Sequence, residues 1–287
     1  GLKTRIFSIA LALTMAVSST YVAPTMEVRA EKGEGTVYAK NKYDSNYDAQ
    51  NAYQGNDLGC TYTKEKTTFK VWSPAATKIV LCRYEKGNGG SVIEEKEMTK
   101  GEKGVWSITI DGDIVNTYYT YKVTNNGNTS EAVDIYAKAV GANGKRAMVV
   151  DLDSTDPENW DTDYKRSPQR ISDVITWEVH VNDFSNQGSK AGFSDEYKGK
   201  YLAFSEDGTK LSGTDYETGI AYLKKLGITH VQIMPMYDYG SVDETKAGQT
   251  DSNYNWGYDP VNFNAPEGSY STNPYDGNVR IKEMKQM

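Results

Sequence analysis

The chain has 287 residues, 38% hydrophobic and 25% charged, with a formal net charge of −7. That composition excludes a disordered chain and leaves room for two domains of ~100–200 residues each. The acidic balance argues against nucleic acid or an anionic membrane as the main partner, because both need clustered Lys and Arg. The first thirty residues, GLKTRIFSIALALTMAVSSTYVAPTMEVRA, open with Lys3 and Arg5 and run apolar from Ile6 to about Val17. They end in the small-residue pattern Val28-Arg29-Ala30. This is the pattern of a secretory signal peptide, and the apolar run falls short of the ~20 residues that span a bilayer. Residues 1–30 are therefore expected to direct secretion and to leave an extracellular mature chain with no membrane segment. Residues 31–56 are polar and weakly patterned, and read as a leader or linker.

From 57 to 152 the texture changes to short β-rich runs: TTFKVWS, KIVLCRY, GVWSITI, YYTYKVT and RAMVVDL. Turn signals such as SPAAT, KGNGG, DGD, NNGN and GANG separate them. Several strands at short spacing with such turns predict a β-sandwich. In TTFKVWS, alternation sets Phe69 and Val71 on one face and Lys70 and Trp72 on the other. The two cysteines, Cys60 and Cys82, fall in this region. Secretion would permit a bridge, but sequence does not fix the ~4.4–6.8 Å Cα separation that a bridge needs. A bridge and a pair of buried free thiols both stay open. No CxxC and no histidine cluster points to zinc, the only histidines being His180 and His230.

Residues 153–170, DSTDPENWDTDYKRSPQR, have the composition of a linker. In 171–287 the period changes. DVITWEVHV (173–181) is a nearly continuous apolar run, as expected of a strand buried on both faces. TGIAYLKKLG (218–227) sets Ile220, Leu223 and Leu226 on one helical face, with Thr218 placed to cap the start and Gly227 the end. THVQIMPM (229–236) reads as a second buried strand. YNWGYDPVNFNAPEGSYSTNPYDG (254–277) is too punctuated for a helix and too long for a hairpin turn, and reads as one loop dense in rings, amides and carboxylates. NVRIKEMKQM (278–287) is again helical, with Val279, Ile281 and Met284 apolar. Strand, helix, strand, helix predicts a βα-repeat fold with a parallel sheet.

Taken in order, VITWEVHVNDFS, TGIAYLKKLGITHVQIMPMYDY and YNWGYDPVNFNAPEGSYS resemble the type I pullulanases. These are debranching enzymes of glycoside hydrolase family 13, the α-amylase superfamily. The resemblance covers about residues 57–287, and YNWGYDP is its most specific part. The sandwich, through FKVWSPAATKIVLCRY and DIYAKAVGANGKRAMVVDL, resembles the family 48 carbohydrate-binding module. The fold class implied is a β-sandwich, an immunoglobulin-like carbohydrate-binding module, followed by the first part of a (β/α)8 TIM barrel. The activity implied is cleavage of α-1,6 branch points in α-glucans such as pullulan, amylopectin and limit dextrins. The mechanism implied is retaining, with a carboxylate nucleophile and a carboxylic acid, assisted by a third carboxylate.

A barrel takes about 200–250 residues, so 171–287 would hold only its beginning. The catalytic carboxylates are expected beyond Met287, and no catalytic residue is expected in this chain. Asp183, Asp238 and Asp243 match no catalytic position of the family. In the heptad, the resemblance implies that Tyr258 stacks under the sugar on the non-reducing side of the scissile bond. Asp259 would accept hydrogen bonds from sugar hydroxyls, Gly257 would permit unusual φ and close approach, and Pro260 would stiffen the exit. Trp256 and Asn255 would shape the wall; the competing reading is an aromatic knot that closes the barrel top. His180 and His230 read as barrel residues rather than catalysts. Asp183 reads as a structural hydrogen-bonder near its strand's end, and Asn182 stands where many relatives carry a basic residue.

The module's loops TNNGNTSEAVD (124–134) and YEKGNGGS hold no Trp. Trp72 and Trp106 lie inside strand patterns, so they are expected to pack in the core or against the barrel. A docking and solubility role is expected of the module ahead of glycan binding. No cofactor is fixed by the residues. Calcium is common in the family, but Asp238, Asp243 and Glu244 show no calcium-loop spacing. The partner implied is an α-glucan substrate, with no nucleic acid and no membrane in the mature form. Two other readings remain: another debranching or branching member of the superfamily, and a non-catalytic secreted α-glucan-binding protein.

Overall fold

Short runs of β-branched and aromatic residues, broken by glycine turns, form two antiparallel sheets. The computed structural model describes residues 47, 50–164, 167–246 and 253–287. The chain divides into two units, Gly1–Gln50 and Asn51–Met287, and the architecture that follows is that of the second. The expected signal peptide and most of the expected leader lie outside the described residues. No helix among the described residues is long and apolar enough to cross a membrane.

The first sheet has the order β1-β2-β6-β5, from Gly59–Tyr62, Lys66–Trp72, Val105–Asp111 and Thr99–Lys100. The second has the order β4-β3-β7-β8, from Val92–Glu97, Lys78–Tyr84, Tyr118–Asn125 and Asn128–Ala132. β9 (Ala147–Met148) also pairs with β7. Phe69, Trp106 and Ile110 from the first sheet share one buried cluster with Ile79, Leu81, Tyr119 and Tyr121 from the second. The result is a β-sandwich. Its rings meet edge-on, Phe69 against Tyr119 at 4.7 Å and Tyr119 against Tyr121 at 5.7 Å, the arrangement that ring quadrupoles favour. One charge sits in this core. Buried Asp134 accepts from the Tyr119 hydroxyl (2.8 Å), the Tyr121 hydroxyl (3.5 Å) and the Tyr136 N–H (2.9 Å).

Two expectations for the sandwich are corrected or resolved. Trp106 is buried as expected, but Trp72 is 42% exposed. Alternation puts it on the outer face of β2, opposite Phe69, where its indole N–H donates to the Asn51 and Lys103 carbonyls. The cysteines are free. They lie on different sheets: Cys60 packs toward the inner core, while Cys82 belongs to an outer cluster with Tyr84, Tyr118, Ala139, Met148 and Ile281. Burial pushes the Cys60 thiol up to about 12 and the Cys82 thiol up to about 11, so neither is a thiolate at neutral pH.

Beyond the sandwich, β10 (Thr176–Val179) and β11 (His230–Ile233) pair in parallel, Thr176 opposite His230 and Val179 opposite Ile233. The short helix α1 (Val181–Ser185) follows β10, and α2 (Gly219–Leu226) lies on the crossover to β11. This is one βαβ unit, the element of a βα-repeat fold; a closed barrel is not formed by the described residues. The expectation of strands buried on both faces is corrected. Ile175 is 50% and Val231 38% exposed. Burial on both faces needs neighbours at both edges and layers on both sides, and this pair has neither in full. Thr218 does not cap α2 as expected: its hydroxyl donates to the Ala191 carbonyl at 2.5 Å. Gly227 does close it, at φ 74°.

The stretch 254–277 is not one loop. It contains β13 (Pro260–Pro266), antiparallel to β12 (Tyr237–Tyr239). Prolines at both ends and an inverted polarity hide this strand: Asn262 and Ala265 face inward, while Val261 and Phe263 are 58% and 64% exposed. The closing helix α3 (Gly277–Gln286) is capped by the Asp276 carboxylate, which accepts from the Asn278 N–H at 2.9 Å. Ile281 is buried as its spacing requires, but so are Arg280 and Glu283.

Candidate substrate-binding site

Parallel strands bring their C-terminal ends together, and the described residues put the 253–259 loop there. His180 directly follows β10, and its Nε2 lies 2.8 Å from the Asn255 carbonyl. A carbonyl only accepts, so Nε2 carries the hydrogen. Gly257 rests on the segment after β11. Its φ is 88°, and a Cβ there would stand 2.2 Å from the Pro235 carbonyl oxygen, so only glycine fits. Within the loop, the Asn255 side chain bridges: its Nδ2 donates to Asp259 (2.8 Å) and its Oδ1 accepts from the Gly257 N–H (2.6 Å). The rings of Trp256 (61%) and Tyr258 (64%) stand exposed on this braced turn. The structure thus joins Asn255 to Asp259 and leaves Trp256 and Tyr258 as free platforms.

A chain of rings and hydroxyls supports the loop from below. The Tyr254 ring lies 5.0 Å from the His180 ring, and its hydroxyl donates to Asp183 at 3.0 Å. Burial, with help from that carboxylate, pushes the Tyr254 phenol up to about 12. Tyr270 reaches His180 Nε2 at 3.0 Å and receives the Tyr239 hydroxyl at 2.8 Å. Asp183 is a structural acceptor, as expected. His180 is buried as expected and positions the loop, whereas His230 is exposed, with its ring Nδ1 2.9 Å from the Thr229 hydroxyl and its backbone N–H on the Ile175 carbonyl. Asn182 is buried on α1. The sequence reading did not single out the bond from His180 to Asn255, because it joins residues 75 apart with no local signature.

Behind the loop lies a second construction, a buried ion cluster. Asp238, Glu244 and Glu267 place ligand oxygens within 4.8 Å of one another, all buried. That spacing would suit a small cation such as calcium. The cation already there is Arg280, which is fully buried. Its Nη1 and Nη2 grip Glu244 at 2.9 and 2.6 Å, and Nη1 reaches Asp238 at 3.3 Å. Backbone N–H groups take the remaining places: Gly268 and Asn143 on Glu244, Tyr239 and Ser269 on Glu267. Calcium therefore does not fit these residues. Asp243 is also engaged, accepting from the Thr245 N–H (3.1 Å) and hydroxyl (2.7 Å) and from Asn143 (3.2 Å).

Three carboxylates share one guanidinium, so the cluster retains protons. Burial, with Glu244 adjacent, pushes Asp238 up to about 7 and Glu267 up to about 8. The cluster also fastens the sandwich to the βα segment. Asn143 and Glu244 exchange bonds through backbone and side chain (2.5 and 2.8 Å), and the Asn262 amide spans from Asp238 (2.7 Å) to the Gly144 carbonyl (3.2 Å). Gly144, at φ 62°, has Asp238 where a Cβ would be, 2.3 Å away.

Comparison with known proteins accords with this geometry. Residues 57–137 match carbohydrate-binding module 48, the isoamylase N-terminal domain. Pullulanase of Bacillus subtilis (strain 168) is 37% identical over 91% of this chain and 34% of its own length. The structure of pullulanase from Bacillus acidopullulyticus superposes with a TM-score of 0.77 at 45% identity, over 83% of this chain and 28% of that one. This chain matches the N-terminal part of type I pullulanases. Pullulanase from Paenibacillus barengoltzii, solved with maltohexaose and α-cyclodextrin, gives a TM-score of 0.79 at 40% identity, over 84% of this chain and 36% of that one. The chain spans about a third of the pullulanase of Bacillus subtilis and a similar or smaller share of the solved pullulanases.

Proposed function

We propose that this chain supplies the N-terminal portion of a secreted α-glucan debranching hydrolase of the pullulanase type. Residues 57–152 serve as its carbohydrate-binding module and 171–287 as the start of a (β/α)8 catalytic domain. Such an enzyme cleaves α-1,6 linkages with retention, through a carboxylate nucleophile and a carboxylic acid. Neither group is assigned to this chain. Secretion rests on the pattern of residues 1–30.

One observation carries the reading. The YNWGYDP turn is held over the C-terminal ends of two parallel strands, by His180 from β10 and by the Gly257 contact after β11. Folds built from βα repeats place their sites at that end. The turn presents Tyr258 as a flat ring for the C–H face of a glucose unit, with Asp259 beside it for hydroxyls. Trp256 and Asn255 form the wall, Asn255 by bracing Asp259.

The test has two parts. The purified chain is incubated with pullulan and the reducing sugar released is measured. No release above a heat-killed control is expected; release would locate catalytic carboxylates within these residues. In native gels cast with pullulan, the chain should be retarded, and Tyr258→Ala should remove most of the retardation. Equal mobility of wild type and Tyr258→Ala would overturn the role given to this ring.

A further inference from the structure

We propose that a second α-glucan subsite, distinct from the Tyr258 platform, runs in a groove from the βα segment across to the sandwich. It rests on the reading of this protein as an α-glucan hydrolase. Two cavities carry it, one of about 1170 Å³ beside Tyr254 and one of about 640 Å³ beside the β3–β4 turn. Their linings share Thr245 and Tyr275, so the two cavities adjoin at those residues, the waist of the proposed groove. The larger part alone exceeds the roughly 300–1,000 Å³ of a small-molecule site. The space suits an extended chain rather than one sugar.

The lining selects the ligand's chemistry. Asp183, Asp195 and Glu196 face Lys198, Lys200 and Lys246 in the larger part, and Glu85 faces Lys86 in the smaller. Glu244 also lines the larger part, but its carboxylate is engaged by buried Arg280; the other lining charges balance, and little net charge remains to attract an ion. Amides and hydroxyls, among them Asn186, Gln187 and Thr272, make up much of the rest, with Gly268 and Pro274. An uncharged, hydroxyl-rich chain is what such a surface solvates. At the waist, Tyr275 is 57% exposed, and a tyrosine ring is a platform for a sugar's C–H face.

The groove is also built before any ligand arrives. The Tyr275 backbone is fixed at both ends, its N–H donating to Asn273 (3.1 Å) and its carbonyl accepting from the Tyr118 hydroxyl (3.3 Å). On the module side, Arg146 lies 3.6 Å over the Tyr84 ring and holds the Lys86 and Gly89 carbonyls at 2.6 Å each. That pins the KGNGG turn, which holds no tryptophan. A pre-ordered wall spares the ligand the cost of ordering it.

The experiment titrates the chain with maltotriose and maltohexaose. Wild type should bind the hexaose more tightly than the triose. Tyr275→Ala should weaken hexaose binding by about fivefold, the scale of one lost ring contact, and leave triose binding unchanged. Asn88→Ala, at the exposed module end, should act in the same direction with a smaller effect. Circular dichroism and the melting temperature establish that each variant is folded. If folded Tyr275→Ala and Asn88→Ala bind both sugars as wild type does, the groove is overturned; the α-glucan reading then stands if Tyr258→Ala still weakens binding. If wild type binds neither sugar, the α-glucan reading itself fails and the groove fails with it.

Discussion

The sandwich and the βα segment differ in the charge that they bury. The sandwich closes on rings and branched aliphatics, with a single carboxylate, Asp134, met by two tyrosine hydroxyls. The βα segment has an apolar cluster too, around Val179, Tyr201 and Tyr270, but it leaves strand residues such as Val231 exposed and also buries Arg280 with three carboxylates. Apolar burial gains free energy wherever area is removed from water and tolerates imprecise geometry. A buried ion cluster gains nothing unless every partner is present, because each desolvated charge costs several kcal/mol when left alone. The first region should therefore be stable but replaceable in its parts. The second should be specific and brittle.

The sharpest way to break this contrast is Arg280→Met. It leaves the buried Glu244 carboxylate, and Asp238 and Glu267 wherever they ionise, without a counter-ion, and it frees the junction through Asn143 and Asn262. A loss of about 3–5 kcal/mol is expected in urea unfolding. Arg280→Lys should fall well short of rescue, because an ammonium does not make the forked contact to Glu244. A loss below about 1 kcal/mol for Arg280→Met would show that the cluster holds nothing together. In the sandwich, Leu81→Ala should cost about 2–4 kcal/mol by loss of transfer and packing. Leu81→Met should recover most of it, since cores accept swaps of similar volume. That recovery, set against the failure of Arg280→Lys, is the comparison in measurable form.

Proton uptake sharpens it further. Asp238 and Glu267 keep their protons in the folded chain up to about 7 and about 8. In the unfolded chain, carboxyls lose them near pH ~4. Between those limits the folded state binds more protons than the unfolded state, so stability falls as pH rises and levels off beyond either limit. Urea midpoints should drop between pH 5 and pH 8, by a slope on the order of 1 kcal/mol per pH unit for each proton retained. Asp243, which hydrogen bonds from Thr245 hold down at about 2, acts below this window. Asp238→Asn mimics the protonated side chain and should flatten the fall. A midpoint that rises with pH, or an Asp238→Asn profile parallel to wild type, would refute the assignment.

The same contrast explains what could be read from the sequence. Strands β2, β3, β6 and β7 are short β-branched and aromatic runs between turn signals, β2 with a two-residue apolar period, and the structure has them within a residue of the expected runs. Helix α3 was legible from Val279, Ile281 and Met284, yet its buried Arg280 was not: an arginine in a helical pattern reads as a solvated face. Its carboxylate partners lie 36 and 42 residues upstream, which no local pattern encodes. Strand β13 was missed because it turns Asn262 inward and Phe263 outward, reversing the usual polarity. It does so because Asn262 serves the ion cluster, so one misreading followed from the other. The rings of the heptad were legible as candidates, whereas the hold of His180 on the Asn255 carbonyl was not.

The smallest expected effect tests whether burial, rather than pairing, makes Arg280 matter. Arg170 also forms a forked pair, its Nε and Nη2 meeting the Asp173 oxygens at 3.2 and 2.9 Å. The geometry is comparable to that of Arg280 with Glu244, but the Arg170 side chain is 77% exposed. Water already solvates both ions there, and ordering two side chains offsets the weak attraction. Arg170→Ala should change stability by no more than about 0.5 kcal/mol, and 0.5 M salt should leave wild type and variant alike, since salt screens exposed pairs. Were Arg170→Ala to cost as much as Arg280→Met, the forked contact itself would be the stabilising element. Burial would then not distinguish the two arginines, and the brittleness assigned to the βα segment would belong to every such pair in the molecule.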